Sequence, residues 1–231
     1  MKLSFVIPAW NEELLIGKTI NAIRRSAKSH EFEIIVADDA SDDRTAELAV
    51  SLGATLVRCN NRQIGPTRNA GAAVATGDLL IFVDADTIIS EAVVRETVEA
   101  IENGAVAGGS FPEFDGKIPF LAIILTPILK IMFRLLHLAA GAYMFCIPES
   151  FGNAGGFDPK FFAAEEVHLS KKLHKEGPFK TIHTGVVTSG RKFRTHSSLE
   201  ILSTFFLVSI PGVRNIKKRK NLWYGERKQD R

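Results

Sequence analysis

The strongest constraint on the fold is a run of five apolar residues, Leu79–Val83, which ends at Asp84-Ala85-Asp86. Such a run predicts a strand that is buried on both faces of a sheet. In an open α/β sheet, ligands bind beyond the carboxyl ends of the strands. Carboxylates there favour a nearby hard cation, which also takes phosphate ligands. The run therefore predicts a site for a metal-bound phosphorylated ligand or, alternatively, a strand end whose aspartates cap the next helix.

Strands and helices are predicted to alternate at short spacing through the first 110 residues. Apolar runs predict strands at 3–7, 33–37, 55–58, 79–83 and 105–110. Helical spacing and capping residues predict helices at 14–27, 43–51, 65–75 and 91–103. This alternation is typical of a doubly wound parallel sheet with helices on both faces.

Polar clusters follow three of the predicted strands, at 8–12, 38–39 and 84–86. Because the carboxyl ends of parallel strands meet at one edge of a sheet, we expect the three clusters to lie close together. Helix caps would not need to converge in this way. The sequence therefore favours a ligand site over caps at this edge.

Several other classes of protein lack support in the sequence. The composition, 45% hydrophobic and 24% charged, is that of a globular protein rather than a disordered one. No dinucleotide fingerprint, P-loop or serine nucleophile elbow is present. Cys59 and Cys146 lie far apart, so we expect two reduced, buried thiols. Met1-Lys2 leads directly into a strand rather than a signal peptide, so we expect a cytoplasmic location.

Five motifs, in this order and spacing over roughly residues 1–177, resemble the family 2 glycosyltransferases of the GT-A fold. They are Val6-Ile7-Pro8-Ala9-Trp10-Asn11-Glu12, Ile35-Val36-Ala37-Asp38-Asp39-Ala40-Ser41-Asp42-Asp43, Arg68-Asn69-Ala70-Gly71, Asp84-Ala85-Asp86, and Gly155-Gly156-Phe157-Asp158 followed by Glu165-Glu166. The resemblance implies a GT-A-type, doubly wound, mostly parallel sheet flanked by helices. It also implies an inverting enzyme that moves a sugar from a nucleotide-diphosphate sugar to a hydroxyl acceptor.

The resemblance implies donor-binding roles for motifs of the first 110 residues. The expected nucleotide-sugar contacts are Pro8, Ala9, Trp10, Asn11, Glu12, Asp39, Arg68, Asp84, Ala85 and Asp86. Asp39 would bind the base, and a UDP-sugar is favoured, with GDP-mannose as the alternative. Arg68 would lie near the diphosphate, unless it is a surface arginine of a helix. Asp84 and Asp86 would hold Mg²⁺ or Mn²⁺, the expected cofactor.

The resemblance places the general base at Glu165-Glu166. Glu166 falls where an inverting member keeps the carboxylate that takes the acceptor proton. Many members have Glu-Asp here, so the Glu166 carboxylate should be displaced by roughly one methylene. Glu165 as the base, an impaired protein, and two glutamates that merely begin a helix are the alternatives. The expected acceptor contacts are Asn153, Gly155, Gly156 and Arg191.

We predict a glycosyltransferase domain at 1–198, with a nucleotide-sugar half at 1–110 and an acceptor half at 111–198. Residues 118–147 are largely apolar, and Lys130, Arg134 and His137 form a basic stripe on a predicted helix. This helix would lie on a membrane surface or form a core or homodimer contact. A further short strand is predicted at 181–188.

Residues 199–231 combine an apolar segment with a basic tail. Between Arg214 and Arg231, eight basic residues face two acidic ones, a net charge of +6. With Trp223-Tyr224, this order is typical of a membrane-surface anchor, and a disordered basic tail is the alternative. We therefore predict an apolar helical C-terminal extension on the inner face of the cell membrane. The acceptor would then be lipid-linked, as in cell-envelope glycans, and no nucleic-acid partner is expected.

Two other functions remain open on the sequence. A nucleotidyltransferase on a related sheet would need a Gly-rich, basic loop after the first strand, and residues 8–12 form no such loop. A non-catalytic, membrane-associated binding protein on the same fold gains weight from the unusual Glu165-Glu166 pair.

Overall fold

A computed structural model describes residues 1–116, 131, 139, 141–162 and 164–191. The predicted basic stripe and the extension at 199–231 lie outside these residues. Within the described ranges, no helix combines the length and apolar character needed to cross a membrane.

The chain alternates strands and helices through its first 110 residues, as the sequence predicts. The elements of this part are β1 (Leu3–Ala9), α1 (Ile16–Ser26), β2 (Phe32–Asp39), α2 (Thr45–Ser51), β3 (Thr55–Cys59), α3 (Ile64–Ala72), β4 (Leu79–Val83), β5 (Thr87–Ile88), α4 (Glu91–Glu102) and β6 (Ala107–Gly109). The later elements are β7 (Pro112–Phe114), β8 (Tyr143–Cys146), α5 (Pro148–Asn153), α6 (Glu165–Glu176), β9 (Phe179–Thr181) and β10 (Val186–Thr188).

The main sheet has seven strands in the order β3-β2-β1-β4-β8-β6-β9. Strand β8 runs antiparallel to both of its neighbours, and the other described pairs are parallel. The mostly parallel, doubly wound sheet is thus confirmed. Strands β1 and β4 are buried along their whole length, which explains their nearly continuous apolar sequences.

Helices cover both faces of the main sheet. Alternate side chains of β1 point to opposite faces, so Phe5 joins the core beneath α1 and α4 while Val6 joins the core beneath α6. Ile16, Ile20 and Ile23 form the buried stripe of α1. The Ser90 hydroxyl caps α4, as predicted, because it accepts a hydrogen bond from the Val93 backbone nitrogen.

The structure corrects the strand predicted at 181–188. Strands β9 and β10 belong to different sheets and are separated by a turn that Glu96 of α4 holds. The Glu96 carboxylate accepts hydrogen bonds from the backbone nitrogens of His183 at 2.7 Å and Thr184 at 3.1 Å. Strand β10 instead lies between β5 and β7 in a second sheet of three short strands, which the sequence analysis did not foresee.

The prediction of a helix within 118–147 is wrong for residues 143–146. Residues Tyr143–Cys146 form β8, a buried strand inserted between β4 and β6. In a short apolar run, the spacing of residues does not distinguish a buried strand from a buried helix. Only the pairing of the run with neighbouring strands identifies it as a strand. Both cysteines are free, but Cys59 is half-buried rather than buried as predicted, and Cys146 is buried.

Candidate functional site

The three polar clusters lie together at the carboxyl edge of the main sheet. Ala9 of β1 pairs with Asp38 of β2, and β4 runs parallel to β1 on its other side. The loop after β1 is tied to the loop after β2, since the Asn11 backbone nitrogen donates to the Ser41 hydroxyl at 2.9 Å. The Glu12 backbone nitrogen likewise donates to the Thr45 hydroxyl at 2.7 Å.

Asp39 fixes the loop that enters α3. Its carboxylate accepts hydrogen bonds from the backbone nitrogens of Asn61 at 2.6 Å, Arg62 at 3.0 Å and Gln63 at 3.1 Å. Arg62 takes a positive φ of 50°, and its guanidinium lies 4.3 Å from the centre of the Trp10 ring. The expected base contact Asp39 and the aromatic ring of Trp10 are therefore linked through one loop.

Arg68 is a buried cation at the centre of the site, not a surface arginine. Its side chain is 2% exposed, and its Nη2 donates to Asp84 Oδ1 at 2.8 Å and to the Gly141 carbonyl at 3.0 Å. Its Nη1 donates to Glu165 Oε1 at 2.8 Å. Burial lowers the pKa of Arg68, but the charges of Asp84 and Glu165 outweigh it and hold that pKa above its ordinary value. One guanidinium thus joins Asp84, which follows β4, to Glu165 at the start of α6.

Glu165 and Glu166 occupy different environments at the start of α6. Glu165 is buried against Arg68, whereas Glu166 is half-buried. A side chain at Gly141 would lie 3.2 Å from Arg68 Nη2 and 3.7 Å from Glu166 Oε1, so the glycine leaves room for both groups. Burial, followed by the charge of Glu165, raises the pKa of Glu166 to about 8. This carboxyl can therefore exchange a proton near neutral pH.

Asp84 and Asp86 keep part of their carboxylates accessible, with side chains 28% and 19% exposed. The Thr188 hydroxyl of β10 donates to Asp86 Oδ1 at 3.2 Å. Within the described residues, no group of three or more His, Cys, Asp or Glu side chains is arranged to hold a metal. Mg²⁺ commonly binds through one or two carboxylates together with waters and phosphates, and the two aspartates fit that donor set.

The predicted acceptor residues do not gather around Glu166. Asn153 donates to the Glu176 carboxylate at 3.0 Å, near the far end of α6, which spans roughly 18 Å. Gly155 and Gly156 form a left-handed turn, φ 73° and 61°, beside α3. Arg191 lies near the loop that follows β1, where its Nη2 donates to Glu12 Oε1 at 3.0 Å.

The sequence analysis missed two contacts of this site. The Gly141 carbonyl receives Arg68, and Thr188 orients Asp86 from the second sheet. Neither contact is indicated by the motifs that carry the family resemblance. Thr188 is 102 positions from Asp86, so only the pairing of β10 with β5 could have indicated the contact.

The chain has recognisable relatives of known class. Dolichol-phosphate mannosyltransferase of Pyrococcus furiosus is 32% identical over 124 residues, which cover 51% of this chain and 35% of that protein. The matches span about a third or less of the length of the curated relatives.

Solved structures share the fold. TarS of Staphylococcus aureus, in a crystal structure with UDP-GlcNAc, has a TM-score of 0.68 and 17% identity, over 96% of this chain and 70% of that one. A mannosyltransferase from Pyrobaculum calidifontis, solved with GDP-Man and Mn²⁺, has a TM-score of 0.66 and 18% identity, over 89% of this chain and 60% of that one. These likenesses show the GT-A-type fold.

A family model, glycosyl transferase family 2, also matches the chain. It covers residues 4–152, which contain the polar edge of the sheet together with Arg68 and the loop at Gly141. This chain therefore belongs to glycosyl transferase family 2.

Proposed function

We propose that the protein is an inverting glycosyltransferase, which moves a sugar from a nucleotide-diphosphate sugar to a hydroxyl acceptor. The observation that carries this proposal is the buried Arg68, which joins Asp84 at the sheet edge to Glu165 at 2.8 Å each. In this proposal the donor site and the general base lie side by side. Structural neighbours complexed with UDP-GlcNAc and with GDP-Man support a nucleotide-sugar donor.

The donor would bind across the ends of β1, β2 and β4. In this proposal Trp10 and Asp39 bind the base, and the backbone of residues 8–12 lines the nucleoside. A UDP-sugar is favoured because an aspartate can accept a hydrogen bond from the pyrimidine imide. GDP-mannose is the alternative donor. Arg68 contributes positive charge from a buried position, where it compensates the carboxylates of Asp84 and Glu165 rather than standing exposed to a phosphate.

Asp84 and Asp86 would hold a divalent cation, Mg²⁺ or Mn²⁺. Neighbours solved with Mn²⁺ support a metal, as does the accessible carboxylate pair. A cation bound there supplies Lewis-acid stabilisation of charge on the leaving nucleoside diphosphate. The contact from Thr188 restricts the Asp86 side chain to one orientation.

Glu166 would act as general base, and Glu165 would hold Arg68. The acceptor oxygen attacks the anomeric carbon, its proton passes to the Glu166 carboxylate, and the bond from that carbon to the diphosphate oxygen breaks with its electron pair. Attack opposite the leaving group inverts the configuration. Glu165 is less suited to this step because its carboxylate is buried in an ion pair with Arg68.

The acceptor, the location and the oligomeric state rest on the sequence alone. We propose a lipid-linked hydroxyl acceptor and peripheral attachment to an anionic membrane surface through residues 199–231. A cytoplasmic location and a homodimer contact through 118–147 belong to the same set of predictions.

A binding screen tests the donor and the metal together. UDP-sugars and GDP-mannose are titrated calorimetrically, with and without Mn²⁺, and we expect metal-dependent binding of at least one of them. Asp86→Asn should weaken this binding by about tenfold or more, because second-shell changes alone cost 10–100-fold in metal sites. Asp78→Asn is the matched control, since Asp78 is exposed just before β4, at the opposite edge.

The rival functions predict different results in this screen and in activity assays run beside it. Absence of metal-dependent binding for every nucleotide sugar would overturn the transferase proposal. Release of pyrophosphate from a nucleoside triphosphate and a sugar phosphate would indicate a nucleotidyltransferase. Binding of a nucleotide sugar without transfer or hydrolysis would indicate a non-catalytic binding protein.

A further inference from the structure

The guanidinium of Arg191 lies among acidic groups at the carboxyl edge of the main sheet. We call this edge, where the donor is proposed to bind, the donor edge. Arg191 follows β10, and its Nη2 lies 3.0 Å and 3.3 Å from the two carboxylate oxygens of Glu12. The same Nη2 lies 3.9 Å from Asp86 Oδ2. The side chains are largely buried, with 13% of Arg191, 4% of Glu12 and 19% of Asp86 exposed. The charge of Arg191 therefore acts on both carboxylates at short range.

The backbone around Arg191 is fixed by the fold. Thr188 pairs with Thr87 across β10 and β5, and the Asp115 backbone nitrogen donates to the Thr188 carbonyl at 3.0 Å. The Asp115 carboxylate in turn accepts a hydrogen bond from the Gly190 backbone nitrogen at 2.8 Å. Both sides of the turn are thus anchored to β7 and β5. Arg191 reaches the donor edge from a constrained position, which distinguishes it from a loose surface side chain.

Residues 188–191 reach both oxygens of Asp86. Thr188 donates to Oδ1, and Arg191 Nη2 lies 3.9 Å from Oδ2. Buried carboxylates need a compensating charge, and the guanidinium provides it in the free protein. A divalent cation on the same carboxylate would be repelled by that guanidinium. Between like charges a few ångströms apart in a partly exposed site, such repulsion corresponds to a loss of roughly tenfold or more in affinity.

We propose that Arg191 is the resident counter-ion of Asp86 and Glu12, and that it weakens metal binding until a nucleotide diphosphate is also bound. This inference rests on the proposed donor and metal site. A bound diphosphate brings negative charge, which compensates both the metal and Arg191. Metal and nucleotide then strengthen each other's binding by the same factor, as thermodynamic linkage requires. Arg191 is a positioning residue in this scheme and takes no part in bond making.

The test measures Mn²⁺ affinity in solution, with and without UDP or GDP, from the spin-resonance signal of free Mn²⁺. Arg191→Met and Arg191→Gln remove the charge, and Gln keeps a hydrogen-bond donor that can face Glu12. In both variants we expect Mn²⁺ to bind the nucleotide-free protein about tenfold more tightly or better. The strengthening of Mn²⁺ binding by nucleotide should be smaller than in the wild type.

Two controls separate charge from structure. Arg191→Lys keeps the positive charge and should keep Mn²⁺ affinity close to the wild-type value. Arg95→Met removes a mostly exposed arginine of α4, whose ion pair with Glu99 is 3.7 Å long, and should change nothing. Thermal melts confirm that each variant is folded. A merely structural role for Arg191 would loosen the site, and loosening would weaken metal binding rather than strengthen it.

The outcomes distinguish this inference from the proposed function. If Mn²⁺ affinity of the free protein is unchanged or weaker in both neutral variants, while nucleotide still strengthens it in the wild type, Arg191 is only a structural ion pair. The inference is then overturned and the donor site stands. If the wild type binds no Mn²⁺ with either nucleotide or with nucleotide sugars, the proposed function fails and the inference fails with it.

Discussion

At the residue scale, the adjacent carboxyls of Glu165 and Glu166 show how burial and pairing can give one residue type two different environments. Glu165 is held by the guanidinium of Arg68 at 2.8 Å. Glu166 stays outside that ion pair, and the nearby negative charge of Glu165 adds to burial in raising its pKa to about 8. The longer side chain that departs from the family's usual aspartate therefore lies in an environment suited to proton exchange.

Glu166→Gln should reduce turnover of the donor by about 10²–10⁴-fold, the usual contribution of a general base. In the wild type, kcat/KM should rise with pH up to about 8, as Glu166 loses its proton. Glu165→Gln should move this rise to lower pH, because it removes the charge that raises the pKa of Glu166. Retention of the wild-type pH profile in Glu166→Gln would assign the base elsewhere.

The raised pKa of Glu166 also predicts how stability depends on pH. Between about pH 4.5 and 8, the unfolded chain releases this proton while the folded protein keeps it, so stability falls as pH rises. Gln cannot release a proton, so Glu166→Gln removes this loss of stability at higher pH. At pH 8 its Tm should exceed that of the wild type by about 3 °C or more, with a smaller difference at pH 5.

A matched variant checks the source of this effect. Glu176→Gln changes an exposed glutamate at the other end of α6. Its Tm difference from the wild type should be the same at both pH values. A pH-independent difference in Glu166→Gln as well would contradict the raised pKa.

The motif residues at the strand ends were predictable from the sequence, but their partners were not. Asp39, Asp84 and Asp86 follow strands, and the strand-end rule places them at one edge. The burial of Arg68 depends on Glu165, which lies 97 positions away. Periodicity and motifs report local structure, so a contact of this separation is visible only once the sheet is assembled.

At the element scale, strand β4 has the bounds that its sequence predicts, and the short strands account for most differences. Strand β4 is apolar along its length and occupies the middle of the sheet. Strands β5, β7 and β10 have two or three residues each, too few to show alternation. Their structure depends on pairing with distant segments, and it was therefore beyond sequence reasoning.

Strand β6 offers an element-scale prediction, because Gly108 lies where three strands meet closely. A Cβ there would lie 2.1 Å from the Lys180 carbonyl oxygen of β9 and 2.3 Å from the Phe145 ring of β8. Gly108→Ala should therefore destabilise the protein by about 2 kcal/mol or more, through forced separation of the strands. Urea denaturation measures the change.

The control for β6 is Gly152 in α5, where an added Cβ would meet nothing within 4 Å. Gly152→Ala should be neutral or stabilising by about 0.5 kcal/mol, because alanine favours the helix. Equal stability of the two variants would show that β6 can shift without cost.

At the scale of the whole molecule, charge is unevenly distributed. The tail after residue 213 carries +6, against −3 for the rest of the chain. Such a tail would be drawn to an anionic bilayer, and each basic residue near the surface contributes about 1 kcal/mol. This attraction bears on the proposed location of the protein and is independent of the donor site.

Replacing Lys217, Lys218, Arg219 and Lys220 with Gln in the full chain tests this attraction. We expect about a hundredfold weaker binding, or more, to vesicles that contain phosphatidylserine. Cosedimentation at low and high salt measures the binding. Unchanged binding, or binding that does not respond to salt, would contradict an electrostatic anchor.

The ion pairs of Arg68 with Asp84 and Glu165 also determine whether the chain can be cut into fragments that fold. A fragment that ends at residue 110 would keep Arg68 and Asp84 but lose Glu165, Gly141 and the strand β8 that covers β4. It would expose an unpaired edge of an apolar strand and leave a buried cation short of partners. We therefore expect residues 1–110 and the described residues that follow them to fold as one cooperative unit. Mixing the two fragments, rather than expressing either alone, is the way in which a split form of this protein could regain its structure.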